Sequence, residues 1–154
     1  MSMHLPITVR AADSAGTRRD FLRLPQRLYA NDPHWVAPLE VELRQRLWGG
    51  NPFLQHASAQ AWVAYEQGRA VGRISAQFDR LQQEYHDDMS GSFGLVEAED
   101  DPAVAAALSP ACCAAPATGA SACSAGPSFA CNCSPSGPRA EKILKLGAGA
   151  FENF

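Results

Sequence analysis

Thirty consecutive residues, from Ser109 to Pro138, contain no leucine, isoleucine, valine or charged side chain. They comprise 8 Ala, 6 Ser, 5 Pro, 5 Cys and 3 Gly, with one Thr, one Phe and one Asn. Ordering the backbone costs roughly 1–2 kcal/mol per residue, and a segment with so little bulky apolar surface recovers little of that by burial. The expectation is a low-complexity, disordered tract dividing the 154 residues into a globular portion at 1–108, the tract at 109–138 and a tail at 139–154. Trp35, Trp48 and Trp62 all precede it, as do four of the seven phenylalanines, Phe21, Phe53, Phe78 and Phe93. The core-forming aromatics therefore gather upstream.

A second reading of the tract is translation out of frame from GC-rich DNA, because alanine, glycine and proline codons all begin with two G or C bases. Shifting Ala111-Cys112-Cys113 by one base in one direction encodes Leu, Met or Val followed by Leu, residues that a continuing helix wants. All five cysteines lie in this tract without a C-x-x-C pair, and their odd number gives no disulfide framework, so no metal is expected. In the tail, Ile143, Leu144 and Leu146 form a short apolar patch beside Gly-Ala repeats.

With 13 basic and 16 acidic side chains the net charge is −3, which excludes a nucleic-acid-binding field. No apolar run approaches the roughly 18 residues needed to span a bilayer. The start MSMHLPITVR lacks a basic segment followed by an apolar stretch, so the expected location is the cytoplasm, with reduced cysteines.

Alternation at Ile7–Arg10 predicts a first strand. Phe21, Leu24 and Leu28, with arginines between them, predict an amphipathic helix interrupted or kinked at Pro25. Leu39, Leu43 and Leu47 predict a second helix, closed by Gly49-Gly50. Two alternating runs around Gln67-Gly68 predict a β-hairpin, and Ser92–Ala98 a further strand with Phe93 and Leu95 on one side and Val96 on the other. Pro102 opens a helix of about two turns that Pro110 cuts short.

This order of strand, two helices, hairpin, strand and helix resembles the N-terminal half of the GNAT N-acyltransferase fold. The segments FLRLPQRLYANDPHWVAPL, NPFLQHA and GRAVGRISAQFDRLQQEYH are similar to a group of longer bacterial GNAT-like proteins, over about residues 17–108. The resemblance implies an α/β fold, an incomplete GNAT-like mixed sheet with flanking helices, followed by the low-complexity tail. It also implies an acyl-CoA donor such as acetyl-CoA and a small amine acceptor. In that superfamily the fourth strand offers backbone groups to the pantetheine arm, which by position nominates Leu95 and Val96 for cofactor binding. A glycine-containing turn would then present amides to the pyrophosphate. Here that turn reads Ala98-Glu99-Asp100-Asp101-Pro102: it has no glycine, and its acids repel a pyrophosphate.

Removing a proton from an amine calls for a general base, and Glu97 is the candidate among the acids that close this strand. Those acids otherwise read as a solvated helix start with no sign of burial. Tyr85 and His86, flanked by Glu84, Asp87 and Asp88, read as an exposed loop. His4, His34 and His56 share no metal-ligand spacing. Trp35, between Pro33 and Pro38, reads as a pin between two helices, and Arg73 as a structural partner for an acid. Two functions follow as expectations: a truncated acyltransferase-like protein, or a non-catalytic binding domain that kept the fold and lost the coenzyme A turn. An exposed sheet edge would favour self-association.

Overall fold

The computed structural model describes residues 6–86, 91–113 and 129–131. One sheet has the order β1-β2-β3-β4-β5, formed by β1 (Thr8–Ala11), β2 (Ala57–Glu66), β3 (Arg69–Asp79), β4 (Gly91–Ala98) and β5 (Phe129–Cys131). The first four strands are antiparallel, and β5 joins β4 in parallel. Helices α1 (Ala15–Leu28) and α2 (Glu40–Trp48) cover one face, and α4 (Pro102–Cys113) covers the other. Short α3 (Arg80–His86) follows β3 directly.

The residue pattern explains the two-sided cover. Positions 61–65 of β2 are all apolar and buried, because successive side chains enter opposite cores. Ala61, Val63 and Tyr65 pack with Phe21, Leu22, Leu43 and Leu47. Trp62 and Ala64 pack with Val71, Ile74, Val104 and Leu108. The hairpin turn is made by Gln67 and Gly68, both at positive φ, as a tight turn between twisted strands requires.

Ser14 caps α1, accepting from the Thr17 amide at 3.2 Å while Thr17 Oγ1 accepts from the Ser14 amide at 3.1 Å. The expected break at Pro25 does not occur, and α1 runs on through it. A proline lacks the N–H that the carbonyl four residues earlier would accept, here that of Phe21. Arg73 supplies the missing donor: its Nη1 donates to the Phe21 oxygen at 2.7 Å. A side chain 52 residues away thus completes the backbone bonding of this helix.

Four other expectations change. Helix α4 continues past Pro110 to Cys113, and β5 lies within the tract from 109 to 138. Residues 114–128 and 132–138 lie outside the described residues, as do His4 and the Ile143-Leu144-Leu146 patch. Tyr85 belongs to α3 rather than a loop, and it is exposed there, whereas Asp87 and Asp88 lie outside the described residues. Phe93 and Val96 face the α4 core together, while Leu95 faces the α1 core. A bulge in β4 is the reason. Trp35 stacks on Tyr29 at 5.4 Å between centroids, as a pin of the inter-helix connection should. Among the described residues no helix is long and apolar enough to cross a membrane.

Candidate functional site

The register of β3 against β4 pairs Arg73 with Glu97 and Ser75 with Gly94. Ile74 alone therefore opposes both Leu95 and Val96, so β4 carries one extra residue, which defines a β-bulge. Leu95 sits at φ +52°, a left-handed conformation that a bulky side chain adopts at a cost of roughly 1–3 kcal/mol. Strain of this kind persists only where its surroundings hold it. The two residues nominated for cofactor binding are thus the two that form the bulge.

Among the described residues, the outer edge of β4 is open at the same place. Strand β5 pairs with Gly91, Ser92 and Phe93 only. Among the described residues, Gly94–Ala98 thus have no strand partner on that side, the arrangement by which a sheet accepts a further extended chain.

Two β3 side chains hold the bulge from its two ends. Buried Ser75 donates through Oγ to the Gly94 carbonyl at 3.0 Å. On the other side Arg73 Nη2 lies 2.8 Å from Glu97 Oε2, with side-chain exposures of only 2% and 5%. The guanidinium also rests 4.7 Å from the Phe21 ring centroid, while its Nε finds no hydrogen-bond partner among the described residues. Burial lowers the affinity of Arg73 for its proton, against the pull of Glu97. Burial likewise pushes the Glu97 carboxyl above the usual range, with Arg73 opposing. Glu97 is therefore not part of a solvated helix start: it lies inside, beneath α1, committed to a cation. Arg73 has the structural acid partner expected of it.

The turn after β4 is occupied by its own carboxylates. Asp101 Oδ1 accepts from the Ala103 amide at 2.9 Å, using one of the free N–H groups that begin α4. Glu99 is gripped through both oxygens by Arg69, at 2.6 and 2.9 Å, and Arg27 lies at 3.4 Å. An anion brought to this helix start meets carboxylate rather than bare amide.

A cleft of about 590 Å³ lies elsewhere, between β1, the start of α1 and the hairpin turn. Tyr65 donates to Asp20 at 2.8 Å on its wall, and none of Leu95, Val96 or Glu97 lines it. Burial first, then the Asp20 bond and charge, push the Tyr65 hydroxyl up to about 12 from 10.0, against Arg10. A folded-state value above the unfolded one means that this stability is complete below pH 10 and is lost as pH rises toward 12. Tyr65→Phe is expected to flatten that alkaline loss, read as urea midpoints from pH 8 to 12. An unchanged slope would remove Tyr65 as its source.

His56 pairs with Asp79 at 2.9 Å beside the ring of Phe53, and His34 is exposed. Among the described residues no group of three or more His, Cys, Asp or Glu side chains can hold a metal; the cysteine side chains lie outside those described. Periodicity did not identify Ser75. The only trace of its role is a hydroxyl between Ile74 and Ala76 on β3, two residues from Arg73 and from Gln77.

Comparison with known proteins finds similarity to two curated bacterial proteins. The chain is 46% identical over 88 residues to Protein YghO of Escherichia coli (strain K12), covering 57% of this chain and 23% of that protein. It is 42% identical over 105 residues to the Bacterial ceramide synthase of Caulobacter vibrioides (strain NA1000 / CB15N), covering 67% of this chain and 27% of that one. The chain thus spans about a quarter of the length of these relatives. No family model matches, and no solved structure matches.

Proposed function

We propose that this chain forms the donor-binding part of a GNAT-like N-acyltransferase, with β4 receiving an acyl thioester along its open edge. The observation that carries the reading is the bulge at Leu95-Val96, where strained backbone and an uncovered strand edge coincide. The pantetheine arm of coenzyme A contains two amides and is extended, so it can bond to β4 as an added strand would. The relative named a ceramide synthase supports the reaction type. Ceramide is the amide of a fatty acid with a long-chain amino alcohol, so making it by acyl transfer from a thioester forms a bond from nitrogen to the acyl carbon, breaks the carbon–sulfur bond, and passes one amine proton to the departing thiolate, which leaves as the thiol.

The fit to coenzyme A is uneven. The thioester end matches the open edge, whereas the helix start that would cradle the pyrophosphate is capped by Asp101. Glu97, in this reading, fixes the shape of the bulge through Arg73 and does not take the amine proton, since its carboxylate is buried against that cation. The acid-lined turn favours a second reading, a binding domain that kept the fold without the donor. Calorimetric titration of the protein with acetyl-CoA separates the two. Micromolar affinity supports the acyltransferase reading, and no heat at millimolar ligand supports the binding domain.

Ser75 provides a finer test. Ser75→Ala removes the hydroxyl that anchors Gly94, and one hydrogen bond corresponds to a change of about two- to tenfold. Affinity for acetyl-CoA and for free coenzyme A, which carry the same pantetheine arm, is expected to fall by that factor. Unchanged affinity for both ligands would mean that the Ser75 anchor does not serve the pantetheine-binding edge.

A further inference from the structure

The exposed side of α1 carries Arg19, Arg23 and Arg27 at four-residue spacing, so like charges stand one above another along the helix. Such pairs cost an isolated helix a few tenths of a kcal/mol each. Arg23 makes no side-chain hydrogen bond or ion pair among the described residues. Together with Arg27 and Arg69 it lines a pocket of about 280 Å³ beside the hairpin turn, in which Asp20 is the sole acid. Asp20 already accepts a hydrogen bond from Tyr65. Arg27 and Arg69 reach Glu99 from one side, and Arg27 also donates to the Ala70 carbonyl. With five donors on each guanidinium, these contacts leave N–H groups unspent on both, and Arg23 retains all of its own.

We propose that Arg23, Arg27 and Arg69 form a binding site for a phosphoryl group, with Glu99 acting as an internal competitor for two of the three guanidiniums. Planar guanidinium forks match the spacing of phosphate oxygens, which favours this class of anion over a monovalent ion. Glu99 places the site beside the turn that leads into α4, two residues before the Asp101 cap, and the proposal does not depend on the acyl-transfer reading. The phosphoryl group can belong to a soluble ligand or to a lipid headgroup, and the two are distinguished by the probe.

Inorganic pyrophosphate titrated calorimetrically into the full chain at low salt tests the soluble case, and flotation with phosphatidylglycerol vesicles tests the lipid case. Arg23→Gln is expected to weaken binding about tenfold, the scale of one lost charge-assisted bond. Glu99→Gln, which releases Arg27 and Arg69, is expected to tighten it about threefold or more. Glu42→Gln makes the same change of charge on the exposed side of α2 and is expected to leave affinity within about twofold. Arg23-dependent binding of pyrophosphate assigns a soluble ligand, and Arg23-dependent flotation without pyrophosphate binding assigns a lipid. Absence of both, or equal tightening by Glu99→Gln and Glu42→Gln, overturns the site. Arg23 and Glu42 are exposed and Glu99 is half-buried, and far-ultraviolet circular dichroism of each variant verifies its fold.

Discussion

Arg73→Met is expected to destabilise the protein by about 3–5 kcal/mol, the usual consequence of stripping one partner from a buried ion pair. That is a large part of the roughly 5–15 kcal/mol that holds an ordinary domain together. Three groups lose their partner at once. Glu97 is left charged in an apolar setting, the Phe21 carbonyl opposite Pro25 loses its donor, and the Phe21 ring loses the cation lying over it. The double variant Arg73→Met with Glu97→Leu removes the uncompensated charge and is expected to recover most of the loss. The Phe21 carbonyl stays unbonded, so about 1–3 kcal/mol should remain missing. Urea denaturation of the two single variants and the double gives the coupling directly. A single variant within about 1 kcal/mol of wild type would show that the pair contributes little to the fold.

Gly72→Ala is expected to cost about 1–3 kcal/mol by overpacking. A β-carbon at this position would lie 2.6 Å from Val104 Cγ1, 2.9 Å from Leu108 Cδ1 and 3.3 Å from Ala98 Cβ. Helix α4 is therefore seated directly on the β3 backbone, and only the lack of a side chain allows it to sit so close. Combining Gly72→Ala with Val104→Ala vacates the first of the crowded positions, and the pair should cost less than the sum of the two single changes. Additive costs in urea melts would place the crowding elsewhere.

Local pattern was enough for the hairpin, for β4 and for the start of α4. The first and last depend on neighbours in sequence: Gln67-Gly68 for the turn and Asp101-Pro102 for the helix start. The acid-rich turn after β4 was legible for the same reason, since Asp101 caps a helix two residues away. The path of α1 through Pro25 was not legible, because proline ends a helix unless a donor arrives from another strand. Burial of Glu97 was hidden too: its neighbours Glu99, Asp100 and Asp101 suggest water, and only Arg73 on the adjacent strand makes an interior carboxylate tolerable.

The site shows the same division. The family resemblance pointed to Leu95 and Val96, but alternation placed Phe93 and Leu95 on one side of the strand, which the extra residue in β4 reverses. The linear sequence thus determined strands β1 to β4 and the presence of helices α1, α2 and α4, and that the stretch after Ser109 has little apolar bulk to bury. It also determined that the turn after β4 is rich in acids and has no glycine. Tertiary structure alone decided the register of β3 on β4, and with it the bulge, the buried pair beneath α1 and the free edge beside β5. Helix caps and turns are bonds between near neighbours, whereas strand register is set by many contacts between segments far apart in the chain, each too weak to be read from one segment by itself.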